Sequence, residues 1–320
     1  MIRFGILGTA SIARAFFDRP MENARIIAVA SRDKEKADAF ADQFKIPKRY
    51  SSYDALLADS ELDAVYIPLP QHLHCEYTVK AAKAGKHVLV EKPAALSSAE
   101  ARTMVAACKK SDVFLMEAFM YRFKRIHARV KEIVDSGLIG ELRYIDFNWC
   151  FNIGQLVRSP FRLDKKKGGG ALYDLGIYGI DFLRYITGSE PKLMGAYLRK
   201  DHPGGVDLFS HAVFTVDAVA GAVTCGFTTD ANYYALNGTL GSLHVPGSLS
   251  GRAVKNTISM HLLQGDKRYE ETFTAENPYI LEMEYFARCI EQRKRPAPDG
   301  ENSVQNLKIL EQIFKRAVKM

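Results

Sequence analysis

Long apolar runs are missing from this 320-residue chain: nowhere do about 18 uncharged apolar residues follow one another, as a membrane-crossing helix would need. Cysteine is scarce. Cys75, Cys108, Cys150, Cys225 and Cys289 are scattered and odd in number, with no C-x-x-C pair, which argues against a zinc site, a dithiol redox centre and a disulfide framework. They read as free, mostly buried thiols, and no metal ligand set is expected. Internal repeats and low-complexity segments are absent too, which excludes solenoid and linker architectures. Although the formal net charge is +7, clustering is weak: Lys165, Lys166 and Lys167 form the only run of three lysines. Most other basic residues alternate with acids along predicted helices, as solvated faces do. A nucleic-acid partner is not expected, nor a membrane; a modest bias toward anionic cofactors or substrates is. The first residues, Met1 to Leu7, carry neither a basic leader nor an A-x-A cleavage site and run into a glycine-bearing turn. They are expected to form a strand, and the protein to be cytoplasmic.

What is present is an ordinary globular composition, 47% apolar and 25% charged, in a chain longer than one core usually covers. Two domains are expected, over residues 1–120 and 121–320. In the first, short apolar runs at Ile2–Leu7, Ile26–Ala30, Ala64–Pro68, His87–Val90 and Val113–Met116 alternate with helical patterns near Ser11–Asp18, Asp33–Phe44, Leu73–Ala84 and Ser98–Lys110. This is the grammar of β-α-β units, which right-handed crossovers assemble into one doubly wound parallel sheet. Ser51 and Ser52 read as a helix start before Tyr53–Ala58, and Gly85 as a helix stop.

The alternation ends near residue 120. A helix near Phe123–Asp135 and a long strand over Leu142–Phe151 follow. Between Lys192 and Phe273 come strand-like stretches with turn signals at Pro203-Gly204-Gly205, Asn237-Gly238 and Gln264-Gly265, predicting a mainly antiparallel sheet. Helices near Tyr279–Gln292 and Ser303–Val318 close the chain, free to pack back on the first domain. The fold class is α/β, a Rossmann domain followed by an α+β domain.

The turn after the first strand reads Gly8-Thr9-Ala10-Ser11-Ile12-Ala13, a G-x-A-x-x-A variant of the dinucleotide fingerprint. Gly8 permits the tight turn, Ala10 lets a pyrophosphate approach the backbone, and Ala13 lets helix and strand pack closely. The phosphates would rest on the amides that open the helix. The second strand ends at Ser31, where NAD enzymes carry a ribose-reading acid. A hydroxyl there, followed by Arg32 and by Lys36 one helical turn on, suits a 2′-phosphate, so NADP(H) is the preferred cofactor. Asp33 leaves NAD(H) open.

Two further stretches are specific: Pro68-Leu69-Pro70-Gln71-His72-Leu73-His74, and Ala84-Gly85-Lys86-His87-Val88-Leu89-Val90-Glu91-Lys92-Pro93. With these the chain resembles, over essentially its whole length, the glucose-fructose oxidoreductase and inositol dehydrogenase (Gfo/Idh/MocA) family. Leu115-Met116-Glu117-Ala118 and Gly168-Gly169-Gly170-Ala171-Leu172-Tyr173-Asp174-Leu175-Gly176-Ile177-Tyr178 make it most similar to the dimeric dihydrodiol dehydrogenase and xylose dehydrogenase branch. The resemblance implies that the second domain's sheet is open-faced and that its free face makes a homodimer. It implies that Leu69, Pro70, His72 and His74 line the cofactor groove and that Glu91, Lys92 and Pro93 approach the nicotinamide ribose. It also implies that Arg162 and Tyr279 touch the cofactor from the second domain.

Hydride transfer between nicotinamide and an alcohol or carbonyl needs a group that exchanges a proton with the substrate oxygen. Lys92, at the carboxyl end of a parallel strand, and Tyr178 are the candidates. Asp174 lies four residues before Tyr178 in a segment that reads as one helix, placing both on one face. Related sugar dehydrogenases carry D-x-x-x-H here, and this chain has tyrosine in place of the histidine. A nearby ammonium favours the phenolate, so Lys92 would activate Tyr178 while Asp174 orients the substrate or Lys92. The expected activity is an NADP-dependent oxidoreductase acting on a sugar, dihydrodiol or small polyol. Two rivals remain: a glycosidase-type elimination with retained cofactor, and a non-enzymatic cofactor-binding regulator.

Overall fold

The computed structural model describes residues 1–152, 154, 160–249, 255–263, 266–274 and 276–319. It divides the chain into two compact units, Met1–Phe119 with Asn277–Leu307, and Met120–Glu276 with Lys308–Met320.

The first unit is built on six parallel strands: β1 (Ile2–Leu7), β2 (Ala24–Ala30), β3 (Lys48–Tyr50), β4 (Ala64–Ile67), β5 (His87–Glu91) and β6 (Leu115–Ala118), in the order β3-β2-β1-β4-β5-β6. In β4 every residue is buried, as is nearly all of β1, because parallel sheets are covered on both faces. The order reverses between β1 and β4, which makes the carboxyl ends of those strands a topological switch point. Helices α1 (Lys34–Phe44), α2 (Tyr53–Leu57), α3 (His74–Lys83) and α4 (Ser98–Lys110) connect the strands. Their starts obey local capping chemistry: the Asp33, Ser52 and Ser97 side chains accept from Lys36, Ala55 and Glu100 backbone N–H groups. The expected first helix is instead a 3-10 turn over Ser11–Phe17. Strand β6 begins two residues later than its apolar run predicts, because the Val113 N–H closes the end of α4 on the Cys108 carbonyl.

Helix α7 (Pro278–Glu291) belongs to this unit, not to the second domain of the 1–120 and 121–320 division. Phe286 is fully buried with its ring 6.4 Å from that of Phe4, burial worth about 1.5–3 kcal/mol. Arg19 forms a 2.7 Å ion pair with the buried carboxylate of Glu284, and Asn277 donates to the Ala15 carbonyl at 2.7 Å.

The second unit holds a nine-stranded sheet of β7 (Leu142–Cys150), β8 (Lys192–Lys200), β9 (Asp207–Val216), β10 (Val219–Gly226), β11 (Ala231–Gly238), β12 (Gly241–Pro246), β13 (Lys255–Leu262), β14 (Lys267–Thr274) and β15 (Val318–Lys319). Its order is β14-β13-β12-β11-β7-β10-β9-β8-β15, antiparallel except where β7 pairs with β10 and β8 with β15. Helices α5 (Arg125–Asp135) and α6 (Ile177–Thr187) pack on this sheet. Asn237-Gly238 does not form the expected turn: Asn237 pairs with Ser242 inside the ladder, and the chain reverses at Thr239 and Leu240. Gln264-Gly265 lies outside the described residues. Helix α8 (Gly300–Arg316), within which the division into units falls, stops short of the predicted Val318, which joins edge strand β15. Among the described residues no helix is long and apolar enough to cross a membrane.

Candidate active site

The candidate residues fall into two sets, one in each unit. In the first unit they gather at the carboxyl ends of β1, β2, β4 and β5, because each connection that follows a parallel strand leaves the sheet at the same edge. Gly8 ends β1 with φ +106, a conformation L side chains rarely adopt, and its amide donates to the Ala30 carbonyl at 2.7 Å. A Cβ on Gly8 would meet Leu69 at 3.1 Å, so the β1 and β4 connections approach each other closely here. Thr9, Ala10 and Ile12 are half-buried and Ser11 is exposed. Ala10 makes no side-chain capping bond, so no side chain competes for the amides that open the Ser11–Phe17 turn. That cradle fits a pyrophosphate, although the turn's 3-10 form gives it a shorter row of aligned peptide dipoles than an α-helix.

At the end of β2, Ser31 is buried and its Oγ accepts from the Asp33 amide at 3.2 Å. Ser31 does not cap α1; Asp33 does. The Asp33 carboxylate also pairs with Lys36 Nζ at 3.2 Å, and these bonds to Lys36 hold its pKa below the usual carboxylate range. Turning Asp33 toward a ribose would forfeit the cap and the pair together. Arg32 is exposed, its guanidinium 6.0 Å from the Tyr53 ring centroid. The end of β2 therefore presents a cation and a hydroxyl where an NAD-reading acid would stand.

After β4, Leu69 is buried while Pro70 and His72 are exposed. His74 lies elsewhere than a ligand-lining role would put it. Its ring is fully buried, with Nε2 2.7 Å from the Leu69 carbonyl and Nδ1 3.0 Å from the Pro93 carbonyl. Burial lowers its pKa to about 4, so the ring is neutral at pH 7 and donates to one carbonyl at a time. It braces the β4 connection against the β5 connection. Glu91, at the end of β5, is likewise braced: its Oε1 accepts from the Tyr66 hydroxyl at 2.5 Å and its Oε2 from the Lys92 amide at 3.3 Å. Lys92 is half-buried and Pro93 buried, joined by a cis peptide bond. Tyr279 sits in α7, in the first unit rather than the second, edge-on to Phe16 at 6.5 Å.

In the second unit, Arg162 and Asp174 come together, Arg162 Nε donating to Asp174 Oδ2 at 2.6 Å. The guanidinium also stands 4.9 Å from the Phe161 ring centroid and 5.6 Å from that of Phe151. The helix expected through Asp174 and Tyr178 is not uniform. Leu172–Gly176 is a π-helical turn that runs into α6, so the four-residue spacing crosses a change of helical pitch. Such π-bulges recur at functional sites. Both side chains are buried, and Tyr178 packs 4.7 Å from the Trp149 ring and 5.9 Å from that of Tyr121.

Three neighbours of these residues carry no local sequence signal. Asp181, one turn past Tyr178, accepts from the Tyr121 hydroxyl at 2.5 Å and from Arg122 through two bonds of 2.8 Å, which ties the second turn of α6 to the start of the second unit. Only its three-residue spacing from Tyr178 hints that it shares a face.

Parallel strands in Rossmann order, a glycine turn at the switch point and a lysine at the end of the neighbouring strand define a nicotinamide-dinucleotide oxidoreductase. Comparison with known proteins says which kind. Residues 2–119 match the oxidoreductase family with NAD-binding Rossmann fold, and residues 127–244 match the GFO/IDH/MocA C-terminal domain. A D-xylose 1-dehydrogenase (NADP(+)) of Haloferax volcanii is 36% identical, covering 98% of this chain and 97% of its own. A trans-1,2-dihydrobenzene-1,2-diol dehydrogenase of Mus musculus is 34% identical over 76% of this chain and 74% of its own. A 3-ketoreductase from Actinomadura kijaniata, solved with NADP and TDP-benzene, superimposes with a TM-score of 0.90 at 27% identity, over 100% of this chain and 98% of that one. The chain belongs to the Gfo/Idh/MocA family of oxidoreductases.

Proposed function

We propose that this protein is an NADP(H)-dependent dehydrogenase that oxidises, or forms by reduction, a secondary alcohol of a sugar, dihydrodiol or related small polyol. The observation that carries the reading is the pairing of a dinucleotide cradle at Gly8–Ile12 with Lys92 one strand beyond the switch point. The relatives named as a D-xylose dehydrogenase, a dihydrobenzenediol dehydrogenase and a 3-ketoreductase support the substrate class. The bound nicotinamide supplies the hydride donor or acceptor. Gly8 through Ile12 hold the pyrophosphate on backbone amides, and Leu69, Pro70 and His72 flank it. His74 fixes the loops carrying Leu69 and Pro93, and Glu91, steadied by Tyr66, holds the backbone from which Lys92 projects. The Lys92 ammonium hydrogen-bonds the substrate oxygen and stabilises its developing negative charge. Tyr178 exchanges the proton with that oxygen, and Asp174, steered by Arg162, orients the substrate.

Cofactor preference follows from Ser31, Arg32 and Lys36. NADP(H) is expected to bind more tightly than NAD(H), and Arg32→Ala to weaken NADP(H) binding by about tenfold while leaving NAD(H) nearly unchanged, since one charge-assisted phosphate contact is lost. Fluorescence titration with both cofactors checks this, and equal affinities in the unaltered protein would sink the assignment.

The five thiols are unpaired, as suits the reducing cytoplasm, and that is the compartment we assign. We assign a homodimer formed through the sheet face of the second unit opposite α5 and α6. There Val213 is 39% exposed, Tyr144 38% and Met194 61%. Sedimentation should find a dimer, and Val213→Glu, which puts a carboxylate into that face, a monomer. A monomeric unaltered protein would remove the interface.

A further inference from the structure

Asp207 opens β9 in the second unit and is almost wholly buried, yet it belongs to none of the sets above. Its Oδ2 accepts from the Leu172 amide at 2.7 Å, and the Ala171 and Asp207 amides also face the carboxylate. Those of Ala171 and Leu172 begin the π-helical turn that carries Asp174 and runs on into Tyr178. The approach depends on Gly170, which adopts φ +119 and whose Cβ, were there one, would collide with Asp207 Oδ1. The same glycine donates its amide to the Arg162 carbonyl at 2.9 Å, so carboxylate, glycine turn, Arg162 and Asp174 form one connected assembly.

We propose that Asp207 is a positioning residue: its carboxylate holds the amides that start the Leu172–Gly176 turn and so sets where Asp174 and Tyr178 lie. A carboxylate accepting backbone N–H groups at a helix start is the strong form of such a bond, and a neutral carboxyl is a weaker acceptor that also brings a proton needing a partner. Charge on Asp207 therefore decides how firmly the turn is held.

Burial pushes the carboxyl up to about 7, opposed by its amide partners and by Lys200. The titratable and charged groups facing it are Lys200 on β8 and the fully buried Cys225 on β10, with Cys150 and Asp174 acting on Cys225 in turn. The unfolded chain releases this proton near 3.8 and the folded one near 7. Between those values the folded state binds more protons, so this group's contribution to stability falls as pH rises through that window and stays low above it. Asp207→Asn removes that decline, and its Tm at pH 8 should equal or exceed that of the unaltered protein. A stabilised variant that works less well is what a positioning role gives and a purely structural one does not.

The test reads Trp149, the only tryptophan in the chain, which lies against Tyr178. Fluorescence of the full-length protein is expected to show a step near pH 7 that is lost in Asp207→Asn. In Lys200→Met the step should move to higher pH, because a charge favouring the carboxylate is gone. The second variant keeps the test decisive if the first folds poorly. Titration of buried Lys124, lowered to about 8 by burial, is common to both variants and the unaltered protein, so it cannot produce a difference between them. A step near pH 7 that survives Asp207→Asn, or that Lys200→Met leaves in place, overturns the proposal. Turnover of an accepted sugar with NADP+ should fall about 10- to 100-fold in Asp207→Asn, the scale of a misplaced reacting group, with KM for NADP+ unchanged. This arm rests on the proposed function. The fluorescence arm does not, so failure of one is distinguishable from failure of the other.

Discussion

Lys92→Met is expected to lower kcat by roughly 10²–10³-fold or more while NADP(H) binding, followed by fluorescence, stays within about twofold. Methionine keeps the unbranched apolar stem and removes only the ammonium. The surrounding framework is also braced through other groups: Tyr66 holds Glu91, Glu91 accepts from the backbone amide of Lys92, and His74 holds the loop after it. The substitution should therefore fold. The ammonium acts on charge that develops on the substrate oxygen, which is why kcat and not cofactor affinity carries the loss. Near-normal turnover would remove Lys92 from the mechanism. An equal loss of cofactor affinity would recast it as a cofactor ligand alone.

Tyr178→Phe should lower turnover by about 10²–10⁴-fold, the usual worth of a positioned acid or base, with cofactor affinity little changed. Phenylalanine keeps the ring that packs against Trp149 and Tyr121, so folding is expected to survive. A tyrosine that served only the core would give the reverse pattern: about 1 kcal/mol of stability lost with the hydroxyl's hydrogen bond, and the chemical step nearly untouched. The pH profile separates the two readings further. Alcohol oxidation that hands its proton to the Tyr178 oxygen should accelerate toward alkaline pH, and that acceleration should vanish in the phenylalanine variant. A variant within a few-fold of the unaltered rate, with the same pH dependence, would make Tyr178 structural.

Much of the first unit was legible because its determinants are local. The strands read as continuous apolar runs since the sheet is covered on both faces, and Ser52 and Ser97 announce their helices by capping chemistry. The short β3, an exposed residue between two half-buried ones and paired only with β2, has no such run and was not anticipated. Helix α7 was legible as a helix but not as part of the first unit. That membership is written in the pairing of Arg19 with Glu284 and of Asn277 with Ala15, partners more than 250 positions apart. Lys92 and Tyr178 could be picked out by resemblance, but the π-helical turn that carries Asp174 and leads into Tyr178 could not. It has no local signature, and the buried Asp207 that receives its first amides looks in the sequence like any acid near a turn. The brace role of His74 was hidden for the same reason, since one of the two carbonyls it meets, that of Pro93, lies in another connection.

The central claim, that the cofactor is a reactant consumed in proportion to a sugar or diol, is tested most directly by stoichiometry. NADP+ is mixed with the purified full-length protein and each member of a panel of aldoses and diols, headed by D-xylose, and nicotinamide absorbance is followed alongside substrate loss. The account predicts that at least one substrate yields one NADPH for each molecule oxidised, over many turnovers of the protein. Substrate conversion without net change in nicotinamide absorbance would mean retained-cofactor elimination, and binding of NADPH without conversion of any substrate would mean a cofactor-binding regulator. Either result would contradict the account.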